Sequence, residues 1–108
     1  MNREYDKRYK QWLASVKKRD NYRCRMPYCK NTKKLQVHHI QKWSDREDLR
    51  FDINNGITLC RYCHSKIWGQ EEYYSYLFIN ILKKDRLYYN RKKYEQKRKN
   101  QDSGGDRH

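Results

Sequence analysis

The stretch that decides the fold runs from residue 37 to residue 64 and reads VHHIQKWSDREDLRFDINNGITLCRYCH. Near its start, His38 and His39 lie between β-branched residues, which favours a short strand whose successive side chains point to opposite faces. The run NNG is a turn signal, and the letters ITL after it read as a second short strand. The final CRYCH predicts the start of a helix. The predicted order is therefore strand, long connection, strand and helix.

The chain is too short and too polar to be held together by packing alone. Its 108 residues allow one domain with a small core, and charged residues (37%) slightly outnumber apolar ones (35%). Such a chain is expected to need a covalent or metal staple. Four cysteines offer either two disulfides or one metal site, and they are Cys24, Cys29, Cys60 and Cys63.

The context of the cysteines favours zinc over disulfides. No apolar run approaches a membrane-spanning length, and the charged N-terminus is not followed by a signal-like apolar stretch, so we expect a reducing, cytoplasmic location. The 30 residues between the two cysteine pairs exceed the usual spacing of zinc ribbons, so an inserted element is expected there, and the histidine strand is that element. Four thiolates would close a tetrahedral site, which is therefore structural.

The formal net charge of +14 predicts attraction to a polyanion, and nucleic acid is the usual one. The alternative is a basic, soluble surface without a specific partner. Eleven tyrosines and three tryptophans are interleaved with the charge and offer stacking surfaces, which favours nucleic acid. No contact with a membrane is expected.

Two helices are predicted to flank the central stretch. Residues 5–19 carry apolar side chains at helical spacing, and a second apolar stripe begins at Gln70. We expect one domain over residues 1–90 and a basic, disordered tail over residues 91–108. Six basic residues of the tail are expected to contact nucleic acid: Arg91, Lys92, Lys93, Lys97, Arg98 and Lys99. The acidic residues between the strands, Asp45, Glu47 and Asp48, are interpreted as a solvated loop.

Residues 12–69 resemble the HNH family of nucleases, in the subset that carries a four-cysteine zinc. The resemblance rests on the His38-His39 pair, on Asn55 in the turn before the second strand, and on His64 directly after the last cysteine. It implies an α+β fold in which a ββα-metal core (the HNH or His-Me finger) is stapled by zinc and flanked by helices. One departure stands out, because many relatives carry a third histidine one helical turn after His64, and this chain has Trp68 there.

The resemblance also implies roles for individual residues. His39 would be the general base, and His38 and His64 would bind the catalytic divalent metal. Asn55 would fix the loop and so orient His39, while Arg61 would help to hold the scissile phosphate. Family members use Mg²⁺, and Mn²⁺ or Ni²⁺ often substitutes, so we expect Mg²⁺ or Mn²⁺ at the histidines and Zn²⁺ only at the cysteines.

The expected function is that of a metal-dependent DNA endonuclease that leaves 5′-phosphate and 3′-hydroxyl ends. Two alternatives stay open: a zinc-stapled DNA-binding module without catalysis, and a nuclease that acts on RNA. Small free-standing members of the family are frequently encoded by phages, so the host cytoplasm is the expected location, and phage packaging or replication proteins are candidate partners.

Overall fold

The computed structural model describes residues 3–42 and 46–103, with side chains described for residues 3–42, 46–87 and 91. The chain divides into two compact units, residues 1–78 and residues 79–108. The first unit holds the central stretch and its flanking elements. Along the chain the elements are α1 (Arg3–Arg19), β1 (Leu35–His39), β2 (Gly56–Cys60), α2 (Arg61–Lys66) and α3 (Glu71–Ser103). This is the predicted α+β order, so the fold class is confirmed.

The two strands form one antiparallel pair. His38 lies opposite Ile57, and His39 lies opposite Gly56. All five residues of β2 are buried, whereas β1 has four half-buried residues and one exposed residue. A strand whose side chains all lie inside must be covered on both faces. The core of the first unit supplies that cover, and its apolar members include Trp12, Val16, Ile40, Ile57, Leu59, Ile67 and Phe78.

Asp20, directly after α1, fastens this helix to the sheet. Its buried carboxylate accepts hydrogen bonds from the Arg19 and Arg25 guanidinium groups and from the Thr58 backbone N–H of β2. Arg19 also donates to the Gly56 carbonyl at 2.7 Å. A buried carboxylate is tolerated when it is paired and hydrogen-bonded in this way. The sequence predicted only a helix end here, so this anchoring is a finding of the structure.

The long connection between the strands is partly ordered by short 3₁₀ turns at Glu47–Leu49 and Ile53–Asn55. Glu47 and Asp48 are exposed, as expected for a solvated loop, and Asp48 pairs with Arg46. Asp45 lies outside the described residues.

The C-terminal helix is longer than the sequence predicted. α3 continues to Ser103, so the expected disorder over residues 91–103 is corrected to helix. The physical reason is that residues 71–103 contain neither proline nor glycine and are rich in lysine, arginine, glutamate and glutamine, which favour helices. Residues 104–108 of the predicted tail lie outside the described residues.

Candidate active site and metal centres

The four cysteines converge on one point. All their Sγ atoms lie within 4.8 Å of one another, and the Cys29 and Cys60 sulfurs are 3.9 Å apart. Four sulfurs bound to one zinc at about 2.3 Å would lie about 3.8 Å apart, so the observed spacing suits such an ion. All four thiols are free in the structure, as the ligands of a metal ion would be. The predicted clustering is thus confirmed, and the cluster is compatible with a structural zinc.

Local structure places each pair of sulfurs. Cys24 and Cys29 lie in the loop after α1, where the Cys29 N–H donates to the Met26 carbonyl. Cys60 ends β2 and caps α2, because its Sγ accepts a hydrogen bond from the Cys63 backbone N–H. The cluster therefore joins the first loop to the junction between the second strand and the second helix.

Two of the four thiols, Cys24 and Cys63, are poorly suited to carry negative charge without a cation. Burial raises the pKa of Cys24 and also that of Cys63. For Cys60, burial works in the same direction, but hydrogen bonds from the Cys63 backbone and from neighbouring side chains outweigh it and bring the pKa down to about 7. A bound divalent cation would compensate the buried thiolates, which is how metal binding and proton release are coupled.

His38 presents a buried nitrogen without a hydrogen-bond partner. Among the described side chains, its Nε2 is one of two such buried atoms. The ring lies between those of His64, at a centroid distance of 5.3 Å, and Phe78, at 5.9 Å. Burial first, and then the charge of His64, lower the pKa of His38 to about 4. The imidazole is therefore neutral at physiological pH and keeps a lone pair for a metal ion.

His64, on α2, is oriented by a neighbour on the first strand. Its Nδ1 is hydrogen-bonded to the Gln36 side-chain oxygen, which can only accept, so Nδ1 carries the proton and Nε2 the lone pair. Such a bond to the second ring nitrogen is the usual way of fixing a ligating histidine. Burial lowers the pKa of His64, and the negative charge of Glu71 opposes that shift. The sequence prediction omitted Gln36, although it shares a strand face with His38.

His39 points to the opposite face of the sheet and lies against α1. Its ring stacks on Trp12 with centroids 4.0 Å apart and planes at 16°. Its Nε2 lies 2.9 Å from the Arg50 carbonyl oxygen, so Nε2 carries the proton and Nδ1 is the basic nitrogen. Burial lowers the pKa of His39, which keeps the ring unprotonated at neutral pH. An unprotonated, hydrogen-bonded imidazole is suited to accept a proton.

Asn55 fixes the loop that contains the Arg50 carbonyl group. It is 4% exposed, and its Nδ2 donates to the carbonyl groups of Gln41 and Leu49, both at 3.1 Å. The Leu49 carbonyl directly precedes Arg50, the partner of His39. The geometry is that of a residue which fixes the loop beside the imidazole.

The predicted nucleic-acid contacts are described only in part. The side chain of Arg61 is exposed at the start of α2, and that of Arg91 is exposed on α3. The other predicted contacts have side chains outside the described part of the chain: Lys92, Lys93, Lys97, Arg98 and Lys99.

Trp68 lies just beyond the end of α2. The sequence suggested that Trp68 lies one α-helical turn after His64, on the face of a third metal ligand. In the structure α2 ends at Lys66, and the chain continues as a turn in which the Trp68 N–H donates to the Ser65 carbonyl. The side chain is 70% exposed. It is therefore not packed into a core, and the expectation that a histidine at this position would reach the metal stays a prediction.

Comparison with protein families places the central part of the chain in a known group. Residues 24–67 match the family model described as HNH endonuclease, so the resemblance predicted from the sequence is confirmed for this segment. No curated protein and no solved structure matches the chain significantly. None of the helices in the described part of the chain is long and apolar enough to cross a membrane.

Proposed function

Starting from the HNH endonuclease character of residues 24–67, we propose that this protein is a metal-dependent endonuclease that hydrolyses phosphodiester bonds in DNA. One observation carries the proposal: the consecutive histidines of β1 lie in two different environments. The ring of His38, which carries a buried nitrogen without a hydrogen-bond partner, lies beside that of His64, whereas His39 is hydrogen-bonded to Arg50 on the opposite face. A module that only bound DNA would need neither arrangement.

His38 and His64 would hold the divalent ion, which is Mg²⁺ or Mn²⁺ at work, with Ni²⁺ as a substitute. The ion supplies positive charge that offsets the negative charge growing on the phosphate. Two imidazole ligands leave most coordination positions to oxygen atoms, which suits these ions. Zinc would be confined to the four cysteines, where it would hold the two ends of the ββα unit together.

His39 would act on the attacking water. Its Nδ1 accepts a proton as the water oxygen forms a bond to phosphorus, and the bond from phosphorus to the 3′ oxygen breaks. The departing oxygen takes a proton from solvent and becomes a 3′-hydroxyl group, while the phosphate stays on the 5′ end. Arg61, exposed at the start of α2, would help to hold the phosphate.

The net charge of +14 supports a polyanionic substrate. We propose that the basic residues from Arg91 to Lys99 bind the DNA backbone outside the site of cleavage. We further propose that the protein acts in the cytoplasm of a phage host, beside packaging or replication proteins.

A plasmid assay tests the proposal directly. Supercoiled DNA is incubated with zinc-loaded protein, with Mg²⁺ or Mn²⁺ added or omitted, and the products are separated as nicked and linear forms. We expect cleavage only with added ion, and we expect DNA ligase to reseal the nicks, since it requires 5′-phosphate and 3′-hydroxyl ends. His39→Ala should bind the plasmid without cutting it.

Two results of this assay would indicate a function other than DNA cleavage. Retention of plasmid without any cleavage, in protein that contains zinc, would indicate a DNA-binding module. Faster cleavage of a structured RNA than of DNA under the same conditions would indicate a ribonuclease.

A further inference from the structure

Trp12 is a core residue that also stacks directly on His39, the proposed base. This α1 residue is 3% exposed, and its indole lies nearly parallel to the His39 ring at 4.0 Å. The indole is itself fixed at its edge, because its Nε1–H donates to the Asp52 carbonyl at 2.8 Å. Both the plane and the in-plane orientation of the indole are thereby restricted.

Gly56 makes room for this arrangement. It lies directly opposite His39 in the strand pair, and an added Cβ atom would meet the Trp12 Cζ2 atom at 2.5 Å and a Val16 methyl group at 2.8 Å. Its backbone is extended, with φ −132° and ψ 147°, a conformation open to any residue. Glycine is therefore needed for space rather than for conformation. The strand position opposite His39 is left without a side chain, and the indole occupies the room.

We propose that Trp12 is a positioning residue for His39, which it holds at the ring face while the Arg50 carbonyl holds it at the edge. Stacking restricts tilting of the imidazole, and the hydrogen bond to Nε2 restricts rotation within its plane. Together they keep the Nε2–H tautomer and one direction for Nδ1. The proposal deepens the proposed function, because it rests on His39 as the base.

The decisive comparison is between Trp12→Phe and Trp12→Leu. Phenylalanine keeps a flat face against the imidazole, whereas leucine keeps apolar burial without that face. We expect Trp12→Phe to keep most of kcat and Trp12→Leu to lose on the order of 100-fold, the cost of a misplacement of about 1 Å. KM and zinc content should stay unchanged in both. Trp68→Leu, the same substitution at an exposed position, is the matched control.

A second measurement does not depend on cleavage. The ¹⁵N chemical shifts of His39 report which ring nitrogen carries the proton. At one neutral pH, we expect the wild type and Trp12→Phe to show the Nε2–H tautomer, and Trp12→Leu to show averaged shifts. Gly56→Ala should shift the same signals, because its new methyl group displaces the indole. If Trp12→Leu does not fold, Trp12→Met provides an unbranched replacement.

The possible outcomes separate the two proposals. A wild-type protein without nuclease activity would overturn the proposed function, while the His39 tautomer would still report on Trp12. Wild-type kcat and shifts in Trp12→Leu would overturn the positioning role. Equal losses in the phenylalanine and leucine variants, with the tautomer unchanged in both, would assign Trp12 to folding alone.

Discussion

Asn55 and Gln41 form a reciprocal pair of hydrogen bonds across the connection between the strands. The Gln41 backbone N–H donates to Asn55 Oδ1 at 2.8 Å, and Asn55 Nδ2 donates to the Gln41 carbonyl at 3.1 Å. The backbone repeats the link, since the Ile40 N–H donates to the Asn55 carbonyl. The buried side chain of Asn55 thus satisfies both backbone polar groups of Gln41, the second residue after β1.

We expect Asn55→Asp to destabilise the protein by about 1–3 kcal/mol, because a buried hydrogen-bond network is broken. The carboxylate keeps the acceptor but cannot donate, so it would face the Gln41 and Leu49 carbonyl oxygens. Cleavage should fall as well, since Arg50 follows Leu49 in the same loop. Urea unfolding and the plasmid assay measure both effects. Asn54→Asp, at an exposed neighbouring position, is the control, and equal loss in the two variants would contradict the expectation.

Cys24→Ser should abolish both stoichiometric zinc and cooperative folding. The thiolate site is expected to contribute folding energy directly, as in other structural zinc sites. Elemental analysis should find about one zinc per wild-type chain, in line with a single tetrahedral site. Tyr28→Ser changes a fully exposed residue in the same loop and should keep the metal. Disulfides in the native protein, found by mass spectrometry, would refute the prediction.

Glu71→Gln should weaken binding of Mn²⁺ at the histidines. Burial lowers the pKa of both His38 and His64, and the negative charge of Glu71 opposes that shift, so it favours positive charge at the site. If the substitution removes about 1.4 kcal/mol of binding free energy, the Kd for Mn²⁺ should rise by about tenfold. Calorimetric titration of zinc-loaded protein measures the effect. Glu72→Gln changes an exposed neighbour and should leave Kd unchanged, so a similar change in both variants would indicate a general charge effect.

Without added Mg²⁺ or Mn²⁺, stability should fall as the pH is lowered from about 6.5 to about 4. The pKa of His38 falls from 6.5 to about 4 on folding, so in this window the unfolded chain binds a proton that the folded chain does not. The sign is therefore loss of stability toward acid pH. Urea midpoints across the window should vary less in His38→Gln than in the wild type. Identical pH profiles would show that His38 does not titrate in this way.

Removing residues 91–108 should weaken DNA binding and flatten its dependence on salt. The segment Arg91–Lys99 contains six basic residues, and each phosphate that a protein neutralises adds about 0.9 to the slope of log K against log salt. Cleavage at low salt should survive, because His38, His39 and His64 lie in the other unit. Binding measured at several salt concentrations checks this, and an unchanged slope would exclude contacts from the segment.

Much of the fold follows from the sequence because its signals are local. The two cysteine pairs, the histidine strand and the helix after Cys60 predict the ββα core, and the structure and the family match agree. The roles of His38, His39, Asn55 and His64 remain predictions, now accompanied by a geometry that suits them.

The features that the sequence analysis did not predict depend on contacts between residues far apart in the chain. Trp12 and His39 are 27 positions apart in the chain, and nothing in the helical stripe of α1 indicates that its tryptophan stacks on an imidazole. Gly56 was interpreted as a turn residue, whereas the strand register shows it opposite His39. The length of α3 was underestimated because loss of apolar residues was equated with loss of helix.

The shared carboxylate of Asp20 makes partial opening of the first unit costly. If α1 left the sheet, either the carboxylate would be separated from the Thr58 N–H or two arginines would lose their common acceptor. Detachment of such a segment would leave buried polar groups without hydrogen-bond partners. Its amide hydrogens therefore exchange only when the whole unit unfolds. The amides at the end of α1 and in β2 should therefore share one free energy of opening in hydrogen exchange, so that the helix carrying Trp12 and the strand carrying Gly56 behave as a single cooperative element.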